Sequence, residues 1–289
     1  MKHIISFSGG MGSFAEAKAC VDKYGKENVI LLFCDTLMED EDLYRFLEET
    51  VKFLDCELVT LCHGQTPWEL FKEQKFIANH RIDLCSRTLK RDLMSHLKTG
   101  WLFKNYGKEV KIPVTRSDGK IAYYDSGEPV TETFTKLEGI EVHVGIDFSE
   151  HHRLTRLQAH MKPSIYRSTL VEDGRIIAKD FSEQFGIRKP RLYELGFGHN
   201  NCGGFCVKAG LGHFKTLHEK LPERYKFHEE KEQEVIAIGG LPFLKKTING
   251  KLRYLTMKEY REEFLELNKA EEDKYDIGGC ACALPLGDD

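Results

Sequence analysis

No stretch of this sequence approaches the roughly 20 consecutive apolar residues that a membrane-spanning helix needs. The opening Met1-Lys2-His3 runs straight into apolar residues, without the layout of a secretory signal, so a cytosolic location and no membrane partner are expected. Internal repeats, low-complexity tracts and an evident linker are lacking as well. A net charge of −4 supplies no excess of either sign, so nothing general draws the chain to nucleic acid or an anionic surface. A nucleic acid substrate would have to be met locally, for example by Arg87-Thr88-Leu89-Lys90-Arg91. Two nucleotide motifs are also missing: no Gly-Lys-Ser/Thr follows a glycine-rich turn, and there is no Gly-x-Gly-x-x-Gly.

What is present describes an ordinary soluble globular protein. The 289 residues are 41% hydrophobic and 30% charged. A chain of this length buries roughly 75% of its unfolded surface and needs no covalent staples. His3-Ile4-Ile5-Ser6-Phe7 reads as a strand, Phe14, Ala17, Val21 and Tyr24 follow at helical spacing, and 29–34 is the apolar run of a strand covered on both faces. A helix over 41–54 and a strand over 56–61 complete a β-α-β-α-β order, which implies an α/β fold with a doubly wound, mostly parallel sheet and right-handed crossovers. Further on, the pattern predicts a helix over 83–97, a hairpin over 111–124, a strand over 140–146 and a short helix over 180–185. One long charged helix over 214–235, a hairpin turning at Asn249-Gly250 and a helix over 257–269 follow. The expected division is a nucleotide-binding α/β domain over 1–240 and a small hairpin, helix and tail over 241–289.

Between the first strand and helix lies Ser8-Gly9-Gly10-Met11-Gly12-Ser13. Glycines let a backbone approach an anion, a helix N-terminus offers free N–H groups, and two hydroxyls add donors, so the loop has the makings of a phosphate cradle. The nine cysteines divide in two. Cys20, Cys34, Cys56 and Cys62 stand singly in apolar segments and read as small core hydrophobes. Cys85, Cys202, Cys206, Cys280 and Cys282 lie in Gly-rich or polar settings, which suggests metal ligation or thiol chemistry. Cys202-Gly203-Gly204-Phe205-Cys206 and Cys280-Ala281-Cys282 together offer four thiolates, enough for tetrahedral zinc or an iron–sulfur cluster.

Five segments in order, over roughly residues 1–235, resemble one family: the phosphoadenosine-phosphosulfate (PAPS) reductase-like branch of the N-type ATP pyrophosphatases, also called PP-loop or adenine nucleotide alpha hydrolase-like proteins. The glycine loop is similar to their Ser-Gly-Gly-x-Asp-Ser loop. Phe33-Cys34-Asp35-Thr36 resembles their Asp-Thr segment, and Leu84-Cys85-Ser86-Arg87-Thr88-Leu89-Lys90 their Cys-x-x-Arg/Leu-Lys segment. Val144-Gly145-Ile146-Asp147-Phe148-Ser149-Glu150-His151-His152-Arg153 resembles Gly-Ile-Arg-x-x-Glu-Ser-x-x-Arg, and 190–197 the approach to the distal cysteines.

The resemblance implies that Ser8, Gly9, Gly10, Met11, Gly12 and Ser13 hold phosphate oxygens of ATP or a related adenine nucleotide, accompanied by Mg²⁺. Asp35, Thr36, Gly145 and Glu150 would lie near the nucleotide, with Arg87, Lys90 and Arg153 as cations for phosphate or sulfate. It also implies a [4Fe–4S] cluster, to which the thiolate set leaves zinc as the alternative, on Cys85, Cys202, Cys206 and one tail cysteine, Cys280 or Cys282; the expected assignment is Cys280 as ligand and Cys282 as a tail nucleophile. The expected reaction is sulfur transfer or ATP-driven adenylation of a substrate, with a sulfur donor or redox protein as partner. The alternatives are sulfonucleotide reduction through the tail cysteine, and a catalytically decayed module with structural zinc. Three departures bear on these readings: Gly12 stands where the family places Asp, three residues separate Cys202 from Cys206, and the tail lacks Glu-Cys-Gly-x-His.

Overall fold

Strands β1 (Lys2–Phe7), β2 (Val29–Asp35) and β3 (Glu57–Cys62) are linked by helices α1 (Met11–Tyr24) and α2 (Glu41–Leu54) in a computed structural model that describes residues 1–79, 81–160 and 165–267. After β4 (Gly107–Pro113) and β5 (Thr131–Leu137), which form a separate antiparallel pair, the chain returns as β6 (Ile140–Val144) and β7 (Tyr166–Arg167). The main sheet is parallel throughout, in the order β3-β2-β1-β6-β7. The chain therefore builds outward from β1 to β3, then jumps back to the other side of β1. That reversal leaves a crevice at the carboxyl ends of β1 and β6, where open α/β sheets take ligands.

Alternate residues of the central strands feed two cores, as period-two geometry requires. Ile5, Phe7, Leu31 and Phe33 meet Phe14, Leu43 and Phe46 of α1 and α2 on one face. Ile4, Ile30, Leu32 and Val142 meet Leu102, Leu154 and Leu157 on the other. This two-sided cover explains why 29–34 reads as an unbroken apolar run. β3 is an edge strand, so its last residue, Cys62, is exposed and does not belong to the core, unlike Cys20, Cys34 and Cys56.

Several elements differ from expectation. The single helix over 214–235 is two, Leu211–Lys220 and Pro222–Ala237. Pro222 carries no N–H and disfavours helical geometry in the residue before it, and Leu221 is displaced to φ −137°, ψ 60°. The helix expected over 83–97 runs from 84 to 95 and contains one turn of π-helix, Arg87–Arg91, in which Asp92 N–H bonds back to Arg87 O. The hairpin expected over 111–124 is wider, pairing Gly107 with Leu137 at its base. The hairpin at Asn249-Gly250 is present as Leu244–Ile248 and Lys251–Leu255, but the helix after it is described only as far as Leu265. Phe243, Leu244, Leu255, Met257 and Tyr260 share one core with Trp68, Phe71, Phe205 and Phe214, so residues 243–265 pack as part of the larger body. Among the described residues no helix is long and apolar enough to cross a membrane.

Candidate functional site

A cavity of about 350 Å³ opens at the switch point, within the ~300–1,000 Å³ usual for small-molecule sites. Its floor is the Ser8–Ser13 turn and the end of β6. Ser8, Gly10, Met11, Gly12, Ser13, Lys90, Gly145, Glu150 and Arg153 all line it. Gly9 shapes the turn without reaching the cavity. Helix α1 has no acidic residue in its first turn, so its positive end is not neutralised from within. The loop braces itself: Ser13 Oγ donates to Gly10 O at 2.8 Å and accepts from Ser8 N–H at 3.3 Å. Tyr193 hydroxyl accepts Met11 N–H at 3.2 Å.

Gly12 owes its identity to packing. A Cβ there would lie 2.5 Å from Gly145 O, and one on Gly145 would lie 2.4 Å from Ser13 N. The first turn of α1 thus sits backbone to backbone on the end of β6, and the carboxylate that the resembled family carries has no room on this frame.

The remaining expected nucleotide contacts are elsewhere. Thr36 is buried beside the cysteines, described below. Asp35 does not line the cavity and accepts from Leu37 N–H and Tyr44 hydroxyl at 2.8 and 2.9 Å. Arg87 is exposed and lines neither this cavity nor the one beside the cysteines, although it stands in the same π turn as Lys90. Arg153 donates to Glu150 at 2.6 Å, so the two enter the wall as a pair.

The far wall, 198–201, was not legible in the sequence as a site. Asn200 is 2% exposed and donates to Gly9 O at 3.0 Å, while its Oδ1 is buried without a hydrogen-bond partner among the described residues. His199 beside it stacks on His213 with ring centroids 4.7 Å apart. Burial, with His213 and Lys90 nearby, pushes its pKa down to about 3, so it presents a neutral ring. Cys34 also lines the wall, and burial pushes its thiol up to about 12, which leaves it inert.

Lys90 belongs to two cavities. Behind the first is a smaller one lined by Cys85, Cys202 and Cys206, together with Thr36, Lys90 and Lys208. Three of the expected metal cysteines thus converge from two distant segments. Cys280 and Cys282 lie outside the described residues. Lys208 Nζ is buried, 3.6 Å from Asp83 Oδ2 and without a hydrogen-bond partner among the described residues. Three cysteines beside a buried ammonium are the donor types of an anionic thiolate–metal centre, although among the described residues their sulfurs do not gather within 4.8 Å of one another.

The cysteine loop is held in a strained form. Cys202 has φ +49°, a left-handed conformation that costs a non-glycine residue of order 1–3 kcal/mol. Gly203 follows at φ +60°, where a Cβ would meet Met38 O at 2.8 Å. Glu39 accepts Cys202 N–H at 2.6 Å, Arg224 donates to Gly203 O at 2.7 Å, and His213 Nε2 lies 2.9 Å from Gly204 O.

A second cluster of ligand-type side chains lies under α1, away from both cavities. Glu16, Cys20 and His143 place one donor atom each within 4.8 Å of one another, and His3, Glu141 and His143 do the same. Glu16 already accepts from Thr169 N–H at 2.7 Å and Leu170 N–H at 3.1 Å, so it acts as a structural bracket. No protein-family model matches the chain, and no curated protein matches it.

Proposed function

We propose that the chain is an adenine-nucleotide-binding enzyme of PAPS reductase-like, adenine nucleotide alpha hydrolase-like type, which couples the nucleotide to a thiolate–metal centre for sulfur transfer or substrate adenylation. One observation carries this reading: the cradle at the switch point and the pocket of three cysteines share Lys90 as a common wall. The helix N-terminus and Lys90 would take the phosphates, and their preorganised donors would stabilise charge that develops there. Asn200 Oδ1 offers a buried acceptor, which suits a ribose hydroxyl or an exocyclic amine. Cys85, Cys202 and Cys206 would hold the metal, with a fourth ligand from the tail; as a [4Fe–4S] cluster it would supply a thiophilic or electron-carrying centre.

A second reading, a nucleotide-binding module with a structural zinc, is favoured by Gly12, whose packing leaves no place for a loop carboxylate. Anaerobic purification with iron, zinc and sulfide analysis separates the two. The proposed enzyme is expected to carry iron and sulfide and to release pyrophosphate from ATP or, with a dithiol supplied as two-electron reductant, sulfite from PAPS. A colourless, zinc-loaded protein silent in both assays would replace it with the second reading.

A further inference from the structure

Glu39 touches both halves of the proposed site. Its side chain is 1% exposed. One oxygen accepts from Thr36 hydroxyl at 2.9 Å and lies 3.4 Å from Lys90 Nζ; the other accepts Cys202 N–H at 2.6 Å. The next residue, Asp40, grips the same loop through Arg224, which it pairs at 2.7 Å and which donates to Gly203 O. The turn after β2 therefore holds Cys202 in its left-handed conformation, and the carboxylate that does so is also a partner of the cation between the cavities.

From this geometry we infer that Glu39 is a positioning residue that couples metal binding by the cysteines to nucleotide binding at Lys90; the inference rests on the function proposed above. A buried carboxylate must have its charge met by donors or cations. With the metal in place, the cysteine loop is held and Cys202 N–H takes a large share of Glu39, which leaves Lys90 available to an anion in the first cavity. With the metal removed, the strained loop relaxes and that bond weakens. Glu39 then draws on Lys90, and the nucleotide loses part of its cation. Metal-loaded protein therefore binds nucleotide more tightly than stripped protein, and by linkage nucleotide favours the metal by the same factor.

The test is the affinity for ATP, by isothermal titration, of full-length protein with its metal and after chelator stripping. Wild type is expected to lose at least about fivefold in affinity on stripping, the lower end of ordinary coupling. Glu39→Gln keeps an acceptor for Cys202 N–H but exerts no pull on Lys90, and is expected to lose less than twofold. Lys90→Gln, which leaves the Glu39–Cys202 bond intact, is expected to bind ATP more weakly with the difference equally collapsed, and it decides the matter should Glu39→Gln fail to fold. Equal affinities in loaded and stripped wild type, or a fivefold loss that survives in the variants, would overturn the coupling. A wild-type protein without metal or without ATP binding would overturn the proposed function and the coupling together; metal and ATP both bound but independent would overturn the coupling alone.

Discussion

Gly145→Ala is expected to destabilise the protein by about 3 kcal/mol or more, at or beyond the upper end of ordinary overpacking costs. The added methyl carbon would meet Ser13 N at 2.4 Å, Gly12 C at 2.5 Å and Ser13 Cα at 2.6 Å. All three are backbone atoms, which cannot swing aside as the end of a long side chain does. Relief requires parting α1 from β6, and that displaces the floor of the cavity. Gly12→Asp faces the same obstacle from the other side, 2.5 Å from Gly145 O. Placing there the aspartate of the resembled family is thus expected to lower the urea midpoint without raising pyrophosphate release. A Gly12→Asp protein with wild-type stability and faster ATP cleavage would show that the glycine is a loss and not a fit.

Glu16→Ala is expected to cost about 3 kcal/mol or more, since each buried donor that loses its acceptor costs about 1–3 kcal/mol. Glu16 is fully buried, and the substitution leaves the N–H groups of Thr169 and Leu170 without their acceptor and takes the carboxylate, 2.9 Å away, from His143 Nδ1, which retains Cys20 Sγ at 3.2 Å and Thr169 Oγ1 at 3.4 Å. Burial alone would raise the Glu16 pKa, but hydrogen bonds from His143 and Thr169, the charge interaction with His143 and the bond from Leu170 outweigh it, and the net position is below the ordinary 4.5. A depressed carboxyl contributes stability that is present above its unfolded pKa and lost as pH falls through its folded one. The gap between wild type and variant should therefore be full at pH 7 and narrow below about pH 4.5, as read by urea unfolding across pH. A gap independent of pH would mean that the carboxylate's charge has no part in the bracket.

The β-α-β-α-β start was legible because strands covered on both faces write continuous apolar runs, and α1 and α2 write apolar residues at helical spacing. The glycine loop was legible because few other backbones need glycine at that junction. Asn200 and His199 were not, since an isolated Asn or His carries no periodicity and acquires meaning only when 198–201 folds over the crevice. Arg87 and Lys90 look equivalent in a basic run, and only the fold separates them, with Lys90 in both cavity walls and Arg87 in neither. Glu39 is one acid among Glu39-Asp40-Glu41-Asp42, and nothing local distinguishes the buried Glu39 and Asp40 from Glu41, whose side chain is 80% exposed. The break at Leu221 was written plainly in Pro222, and the charged periodicity on either side masked it.

On the proposed function, the crevice between β1 and β6 takes an adenine nucleotide through the α1 N-terminus and Lys90. Equilibrium titration of the metal-loaded protein with ATP and with PAPS tests it most directly, set beside the same titration of Lys90→Gln. Removing a charge-assisted contact worth about 1.5–3 kcal/mol weakens binding by roughly 10- to 150-fold. Saturable one-to-one binding of at least one of the two nucleotides is expected, weakened by that factor in the variant. No saturable binding of either, or binding that Lys90→Gln leaves unchanged, would contradict it.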